Sequence, residues 1–435
     1  MKYILFVFVG LLFLGACQQR HSTAEKTPER TPPVDSTVTS TIDTVALIGD
    51  YVLSTPFFQE RPQQATQHAL TDFFAQLQDS SQTTHILYYG DSQIEGDRIT
   101  SYIRTHLQEV WGGKGVGFLD FDDIADNINV VRRRSGNWRR DTFFNKPRKD
   151  GRYGIGGTTS TYTGDSAWVN FQLRNHFYYD QVYLLYQQPH NMACTLTCYD
   201  LSNGEVLSRL VLPPSQSPTK KILFNTPLTR RFQLVFEGPS PLLLGLWVDG
   251  QEQLQLDSFG MRGHAGYGLL TIQDDWLAEQ ATLLGTGLVV LHYGANEVPY
   301  IRTEAQLENF EKRHQQLIDK IKANIPQASI LIVSISEMGN FRTGLPYTNL
   351  SQIRDIQQKL AKKNSCAFWD VLGMIQDSTR TTSWREEGLI AFDGHFTPKG
   401  HQKVGKTLAD ALLQASKNYQ HIENIKKNPQ KYISP

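Results

Sequence analysis

The chain predicts an α/β protein, a parallel sheet covered by helices on both faces, interrupted by an all-β domain. Three observations carry this. Near-continuous apolar strands alternate with amphipathic helices toward both ends of the sequence, the texture of a buried parallel sheet. Between about residues 118 and 256 helical periodicity fades and short alternating runs appear at roughly ten-residue spacing. Three short polar motifs stand just after predicted strands, where open α/β sheets place their sites.

The elements follow in chain order. Residues 1–20, "MKYILFVFVGLLFLGACQQR", open with Lys2, an apolar run from Tyr3 to Leu14, and the small residues Gly15 and Ala16 before Cys17. The run is too short for a permanent membrane span but suits a signal-peptide core. Its end, Leu14-Gly15-Ala16-Cys17, resembles the bacterial lipobox. That resemblance implies a signal peptide over 1–17, a lipidated Cys17, and an exported lipoprotein held in the cell envelope. Residues 18–45 are rich in Thr, Pro and Ser and read as a disordered tether.

The first part of the α/β domain is expected over 46–117: a helix at 68–80, a strand at 85–89, and a helix from Arg98 to Val110. Ile99, Tyr102, Ile103, Leu107 and Val110 share one face of that helix. An inserted β-sandwich, jelly-roll-like, is expected over 118–256, from runs such as "SAWVNFQL", "QVYLLYQQ" and "LLLGLWVDG". The second part, 257–416, alternates helices at 275–284, 304–323, 349–364 and 398–416 with strands at 287–294, 329–336 and 366–371. Residues 417–435 read as a frayed C-terminal tail.

Composition narrows the partners. Lys plus Arg and Asp plus Glu are 43 each, so nothing global points to nucleic acid. Apart from Cys17 the cysteines are Cys194, Cys198 and Cys366. Cys194 and Cys198 would share a strand face ~13 Å apart, beyond disulfide reach. All three read as buried thiols, no spacing predicts a metal, and no cofactor is called for.

The motifs are "GDS" at Gly90-Asp91-Ser92, "GANE" at Gly294-Ala295-Asn296-Glu297, and "FDGHFTPKGH" over 392–401. Together they resemble the blocks of the SGNH, or GDSL-like, hydrolase family. The resemblance implies a three-layer αβα, flavodoxin-like domain with Ser92 as nucleophile, His395 as base, Asp393 as its orienting acid, and Asn296 with the Ser92 N–H as oxyanion donors. Such sites use the histidine to activate a weakly nucleophilic hydroxyl and fixed N–H groups to bind the tetrahedral oxyanion.

The sequence departs from the family at three places. Gln93 replaces the usual Leu and is expected to matter little. Glu297 replaces an Asp. The DxxH spacing is DxH here, as in the alginate-acetylation branch.

The glycine donor is left between two segments. "YGIGGTTS" (153–160) offers Gly157, and "LDSFGMRGHAG" (256–266) offers Gly263. The second resembles the corresponding block of family members with an inserted β domain, such as peptidoglycan O-acetylesterases, and Gly263 is favoured. Trp138, within the basic run "RRRSGNWRR", is a candidate glycan contact, His292 is expected in the core, and His401 on the last helix.

The function these readings imply is a serine esterase that removes O-acetyl groups from a cell-envelope or dietary polysaccharide. An O-acetyltransferase with the same triad and a non-catalytic glycan-binding lipoprotein are the alternatives. The partners expected are an acetylated glycan and a membrane reached through the lipid anchor; oligomeric state is left open.

Overall fold

The computed structural model describes residues 55–60, 68–79, 81–122, 125–144, 147–174, 178–225, 229–251, 253–340 and 342–432. Cys17, the signal segment 1–17 and the tether 18–45 lie outside the described residues. Asp43–Pro435 is one compact unit.

The chain enters through β1 (Phe58–Gln59), α1 (Thr71–Gln78), β2 (Thr83–Gly90) and α2 (Arg98–Trp111). It then leaves the α/β layer for β3 (Gly115–Leu119), β4 (Val130–Arg134), β5 (Trp138–Thr142), β6 (Thr158–Tyr162), β7 (Ser166–Leu173) and β8 (Gln181–Gln187). The insert continues through β9 (Cys194–Asp200), β10 (Val206–Leu212), β11 (Thr219–Phe224), β12 (Arg231–Glu237) and β13 (Leu242–Asp249). The return runs β14 (Gln253–Gly260), α3 (Asp274–Leu284), β15 (Thr286–His292), α4 (Glu304–Asn324), β16 (Ser329–Val333) and α5 (Leu350–Lys363). It closes with β17 (Ala367–Trp369), α6 (Val371–Ile375) and α7 (Pro398–Lys427).

Strands β14-β2-β15-β16-β17 form a parallel sheet in that spatial order, and β1 lies antiparallel on its far edge. Counted along the chain the parallel strands are ordered 2-1-3-4-5, the flavodoxin-like order, whose switch point falls between the first and third strands. Alternation along β2 divides the cores. Ile86 and Tyr88 pack with Ile99, Ile103, Leu107, Val404 and Leu408 of α2 and α7, while Leu87 and Tyr89 pack with Leu277, Leu317 and Ile321 of α3 and α4. Helices therefore cover both faces, as the near-continuous apolar strands require.

The insert is two antiparallel sheets, β10-β9-β12-β7-β4 and β11-β8-β13-β6-β5 with β3 on β13. They share one apolar core that includes Val169, Phe171, Leu196, Phe232, Leu184 and Leu246. Cys194, Cys198 and Cys366 are buried free thiols. The insert is less separate than an independent domain: Tyr183, Leu185 and Trp247 belong to the same cluster as Leu277 and Leu291 of the α/β layer.

Two boundaries differ from expectation. Strand β14 pairs in parallel with β2 along its whole length, so residues 253–256 belong to the α/β sheet rather than to the insert. Its period-2 pattern mimics the insert because it carries polar residues inward: Asp257 is fully buried and its carboxylate meets His85 Nδ1 at 2.8 Å. The C-terminal segment is also no frayed tail. Helix α7 runs on to Lys427 with Tyr419, Ile422 and Ile425 buried, and Asn418 Nδ2 donates to Glu60 Oε1 at 2.5 Å. Ile422 and Ile425 lie three residues apart on one helix face, a spacing short enough to pass for chance in a polar stretch.

Candidate active site

Ser92 follows β2 and Asn296 follows β15, the first and third parallel strands, so both stand at the switch point of the sheet. Asp393 and His395 reach the same edge from the loop before α7. Thr397 Oγ1 accepts the Gly400 N–H and Pro398 occupies the first turn, so the helix start fixes where that loop must end.

Three side chains form a relay. Ser92 Oγ and His395 Nε2 are 2.8 Å apart, and His395 Nδ1 lies 2.9 Å from Asp393 Oδ2. Asp393 Oδ1 also accepts the His395 backbone N–H at 3.1 Å. Partial burial opposes ionisation of Asp393, but the hydrogen bonds from the His395 backbone and imidazole outweigh it and hold the carboxyl below its ordinary range. The DxH spacing works because Gly394 between them has φ +93°, and a Cβ there would stand 2.5 Å from Glu337 O.

The oxyanion candidates divide sharply. Among the described residues the N–H groups of Ser92 and Gly263 have no acceptor. The Gly263 loop is tied beside Ser92: the Met261 N–H donates to Gly90 O at 3.0 Å, and Arg262 Nη2 to Glu95 Oε2 at 2.6 Å. Gly157 is a different case. Its N–H is spent on Gly154 O at 2.8 Å, and a Cβ there would overlap the Phe143 ring at 1.7 Å. The segment is fastened to α3, with Gln280 bonded to the Ile155 N–H and Tyr153 O. Gly157 is thus a packing glycine, its amide paired within its own segment and its Cα face closed by the Phe143 ring.

Asn296 stands at the site with both amide hydrogens engaged, donating to Asp91 Oδ2 and to His264 O, each at 3.1 Å. Donation to an oxyanion therefore requires one of these bonds to be shared or exchanged. Asp91, the middle residue of GDS, also accepts the Gln93 N–H at 3.0 Å. Glu297 accepts from Tyr267 at 2.5 Å and meets His314 Nε2 at 3.2 Å, binding the Asn296 turn to the Gly263 side and to α4.

Burial pushes the Asp91 carboxyl from 3.8 up to about 6, against the Gln93 hydrogen bond and the nearby His395. Between those values the folded chain keeps a proton that the unfolded chain has released. The stability this group contributes is complete below the unfolded value and is lost as pH rises through about 6. The gap corresponds to about 3 kcal/mol. Asp91→Asn does not titrate, so its unfolding free energy relative to the unsubstituted protein should move in its favour by about that much from roughly pH 4 to roughly pH 7. Urea unfolding at both pH values checks this; a constant difference would mean that folding does not raise the Asp91 carboxyl.

One expectation takes a different form in the structure. Trp138 is no glycan contact: it is 8% exposed inside the insert, stacked on Phe121 with ring centroids 5.8 Å apart, and its Nε1 donates to Trp168 O at 3.1 Å. A tryptophan on alternating strand positions packs inward whenever the facing sheet offers aromatic partners, and sequence alone does not show that sheet. Two of the arginines around it are paired, Arg134 with Asp122 at 2.6 Å and Arg140 with Asp120 at 2.9 Å. Asp97 at the start of α2 does not cap it: its carboxylate binds the buried Arg104 at 2.7 and 2.8 Å and Asn129 of the insert at 2.6 Å. His292 lies in the core beside the Tyr88 hydroxyl, where burial lowers it to about 4, and His401 is on α7.

The insert contributes Phe143 and Phe144 to the site's edge. Their rings lie 4.6 and 5.3 Å from the His264 ring, and Phe144 is the nearest side chain to the open space over Gly263, 3.9 Å from where a Cβ would stand.

Residues 247–403 match the model of the GDSL-like Lipase/Acylhydrolase family. This span includes Gly263, Asn296, Asp393 and His395; Ser92 lies upstream, separated from it by the insert. The fold matches that of a peptidoglycan O-acetylesterase at 20% identity, over 83% of this chain and 99% of that one, with TM-score 0.66. An acetyl xylan esterase (20% identity, 37% of this chain and 81% of that one, TM-score 0.30) and a family two carbohydrate esterase from Clostridium thermocellum (10%, 63% and 97%, TM-score 0.29) are more remote in fold. No curated protein matches the chain. The Ser92 turn, the Gly263 loop and the DxH loop thus share one edge of a 2-1-3-4-5 sheet, and residues 247–403 of this α/β portion are similar to the GDSL-like Lipase/Acylhydrolase family.

Proposed function

We propose that the protein is a serine O-acetylesterase acting on an acetylated cell-envelope polysaccharide. The observation that carries the reading is the Ser92–His395–Asp393 relay, with hydrogen-bond lengths of 2.8 and 2.9 Å. The fold shared with a peptidoglycan O-acetylesterase supports the choice of acyl group and polymer.

The chemistry follows from the geometry. Ser92 Oγ attacks the acetyl carbonyl carbon as His395 Nε2 takes its proton, and Asp393 stabilises the imidazolium formed. The carbonyl oxygen becomes an oxyanion held by the unpaired N–H groups of Ser92 and Gly263, with Asn296 joining as one of its resting bonds is exchanged. His395 returns the proton to the departing sugar hydroxyl, leaving an acetyl ester on Ser92. Water, deprotonated by His395, attacks that ester, and acetate leaves with Ser92 restored. Every proton in the cycle passes through one imidazole.

The test is turnover of p-nitrophenyl acetate by a chain lacking residues 1–17, followed by acetate release from O-acetylated peptidoglycan and xylan. Acetate release that favours peptidoglycan supports the proposal; acyl transfer to an added oligosaccharide outpacing hydrolysis would make the protein an O-acetyltransferase. The localisation is part of the same reading: Cys17 is lipidated and holds the enzyme at the membrane. Cys17→Ser is expected to move the protein from the membrane fraction to the soluble fraction. Unchanged partitioning would refute the anchor.

A further inference from the structure

The side chain that follows the nucleophile is buried: Gln93 is 2% exposed. Its amide makes three hydrogen bonds. Nε2 donates to Ser336 Oγ at 3.0 Å and to Gly394 O at 3.1 Å, and Oε1 accepts from the Phe396 N–H at 3.1 Å. Gly394 and Phe396 are the two neighbours of His395. One terminal group therefore holds the backbone on both sides of the base, as donor on one side and acceptor on the other, and a carboxamide does both at once from separate atoms. Ser336 lies just beyond β16, so the third bond fastens this clamp to the end of the sheet.

The imidazole needs such a hold. About a third of the His395 side chain is exposed, 34%, so packing alone does not set its position. From outside, Arg385 Nη1 binds Ala391 O at 3.0 Å and Phe392 O at 3.2 Å, before the Asp393–His395 pair. Gln93 acts from inside, across His395 itself. Because it is covalently next to Ser92, any shift of the nucleophile turn carries the clamp with it.

We propose that Gln93 is a positioning residue that sets His395 Nε2 over Ser92 Oγ by gripping the backbone on both sides of the histidine. The proposal rests on the esterase reading. A leucine here, the usual family residue, makes none of the three bonds, so in this chain the registration of base and nucleophile depends on an amide. Hydroxyl-to-imidazole transfer is steep in distance, and a misplacement of about 1 Å costs on the order of 100-fold in rate.

The test uses Gln93→Met, which keeps length and apolar volume without the hydrogen bonds, alone and combined with His395→Ala. Turnover of p-nitrophenyl acetate is measured together with the low-field proton NMR line of the Nδ1–H that His395 shares with Asp393, identified by its loss in His395→Ala. Gln93→Met is expected to lower kcat about 10- to 100-fold with KM within about twofold, and to shift or broaden that line while thermal unfolding stays cooperative. In the His395→Ala background the same substitution should change residual turnover by less than about twofold, because the clamp acts through the histidine.

An equal fractional loss in both backgrounds overturns the proposal, as does an undiminished kcat in a folded Gln93→Met protein. If Gln93→Met does not fold, Ser336→Ala removes one arm of the clamp and should give a several-fold loss in kcat that likewise vanishes without His395; additive loss overturns it. If the unsubstituted protein turns over no ester, the esterase reading fails separately. The NMR line then decides the clamp, since an unmoved line in Gln93→Met refutes it.

Discussion

Ser92→Ala and His395→Ala are each expected to lower kcat on an acetyl ester by about four to six orders of magnitude, with the double variant no worse than either single one. The expectation rests on the 2.8 Å contact between Ser92 Oγ and His395 Nε2. Without the hydroxyl there is no acyl acceptor, and without the imidazole the hydroxyl keeps its proton, so either loss alone removes the covalent pathway. Asp393→Asn leaves a group of the same size beside Nδ1 but favours the wrong imidazole tautomer, and should cost about 10⁴ in kcat. KM should change little in all of these, because none of the three side chains is asked to hold the ground-state ester. Steady-state kinetics with circular dichroism on each variant checks the set. Near-normal turnover in Asp393→Asn would move the orienting role to another carboxylate. Independent, multiplying losses from Ser92 and His395 would break the relay as a unit.

Gly263→Val carries the second large effect, a loss in kcat of about 100- to 1,000-fold, the scale of one oxyanion donor. The Gly263 N–H has no acceptor among the described residues, and the loop is held at Gly90 and Glu95 beside the nucleophile. A valine at φ +75° is strained, so the loop must move to accommodate it, taking the N–H with it. Space is not the difficulty: a Cβ would meet nothing closer than the Phe144 ring at 3.9 Å. Strain alone should therefore cost a few degrees of melting temperature.

Gly164→Val is the matched control. Its φ is +81° in the turn between β6 and β7, with nothing within 4 Å of the added Cβ, so it carries the same strain away from the site. Turnover should be unchanged there. Gly157→Val does not serve the purpose, because a side chain inside the Phe143 ring would disturb the core before it could report on catalysis. Equal kcat for Gly263→Val and Gly164→Val would remove Gly263 from the oxyanion site.

These predictions mark how far the sequence reached on its own. Strand and helix positions in the α/β layer were legible because their causes are local: β2, β15 and β16 each contain a short apolar run, and α2 and α4 repeat apolar residues at the helical period. Ser92, Asn296, Asp393 and His395 were legible for a related reason, since each motif follows a strand or precedes a helix, and the carboxyl edge of a parallel sheet gathers such turns whatever the loops between them do. Sequence also limited the glycine donor to two candidates.

What remained depended on partners distant in the chain. Whether Gly157 or Gly263 has a free N–H is settled by Gly154 O and by the ring of Phe143, which no pattern around either glycine encodes. Trp138 alternates like a surface residue until Phe121 and the facing sheet cover it. The polar residues of β14 look solvent-facing until His85 meets Asp257 in the interior, and the last turns of α7 look frayed until Ile422 and Ile425 are buried. Gln93 is the clearest case. A glutamine after a nucleophile is uninformative by itself, because a carboxamide acquires a role only from the donors and acceptors placed around it, and Ser336, Gly394 and Phe396 arrive from more than two hundred residues downstream. Periodicity and turn chemistry are properties of neighbours in the chain and can be read there; burial and hydrogen-bond pairing are properties of neighbours in space, and folding alone brings those together.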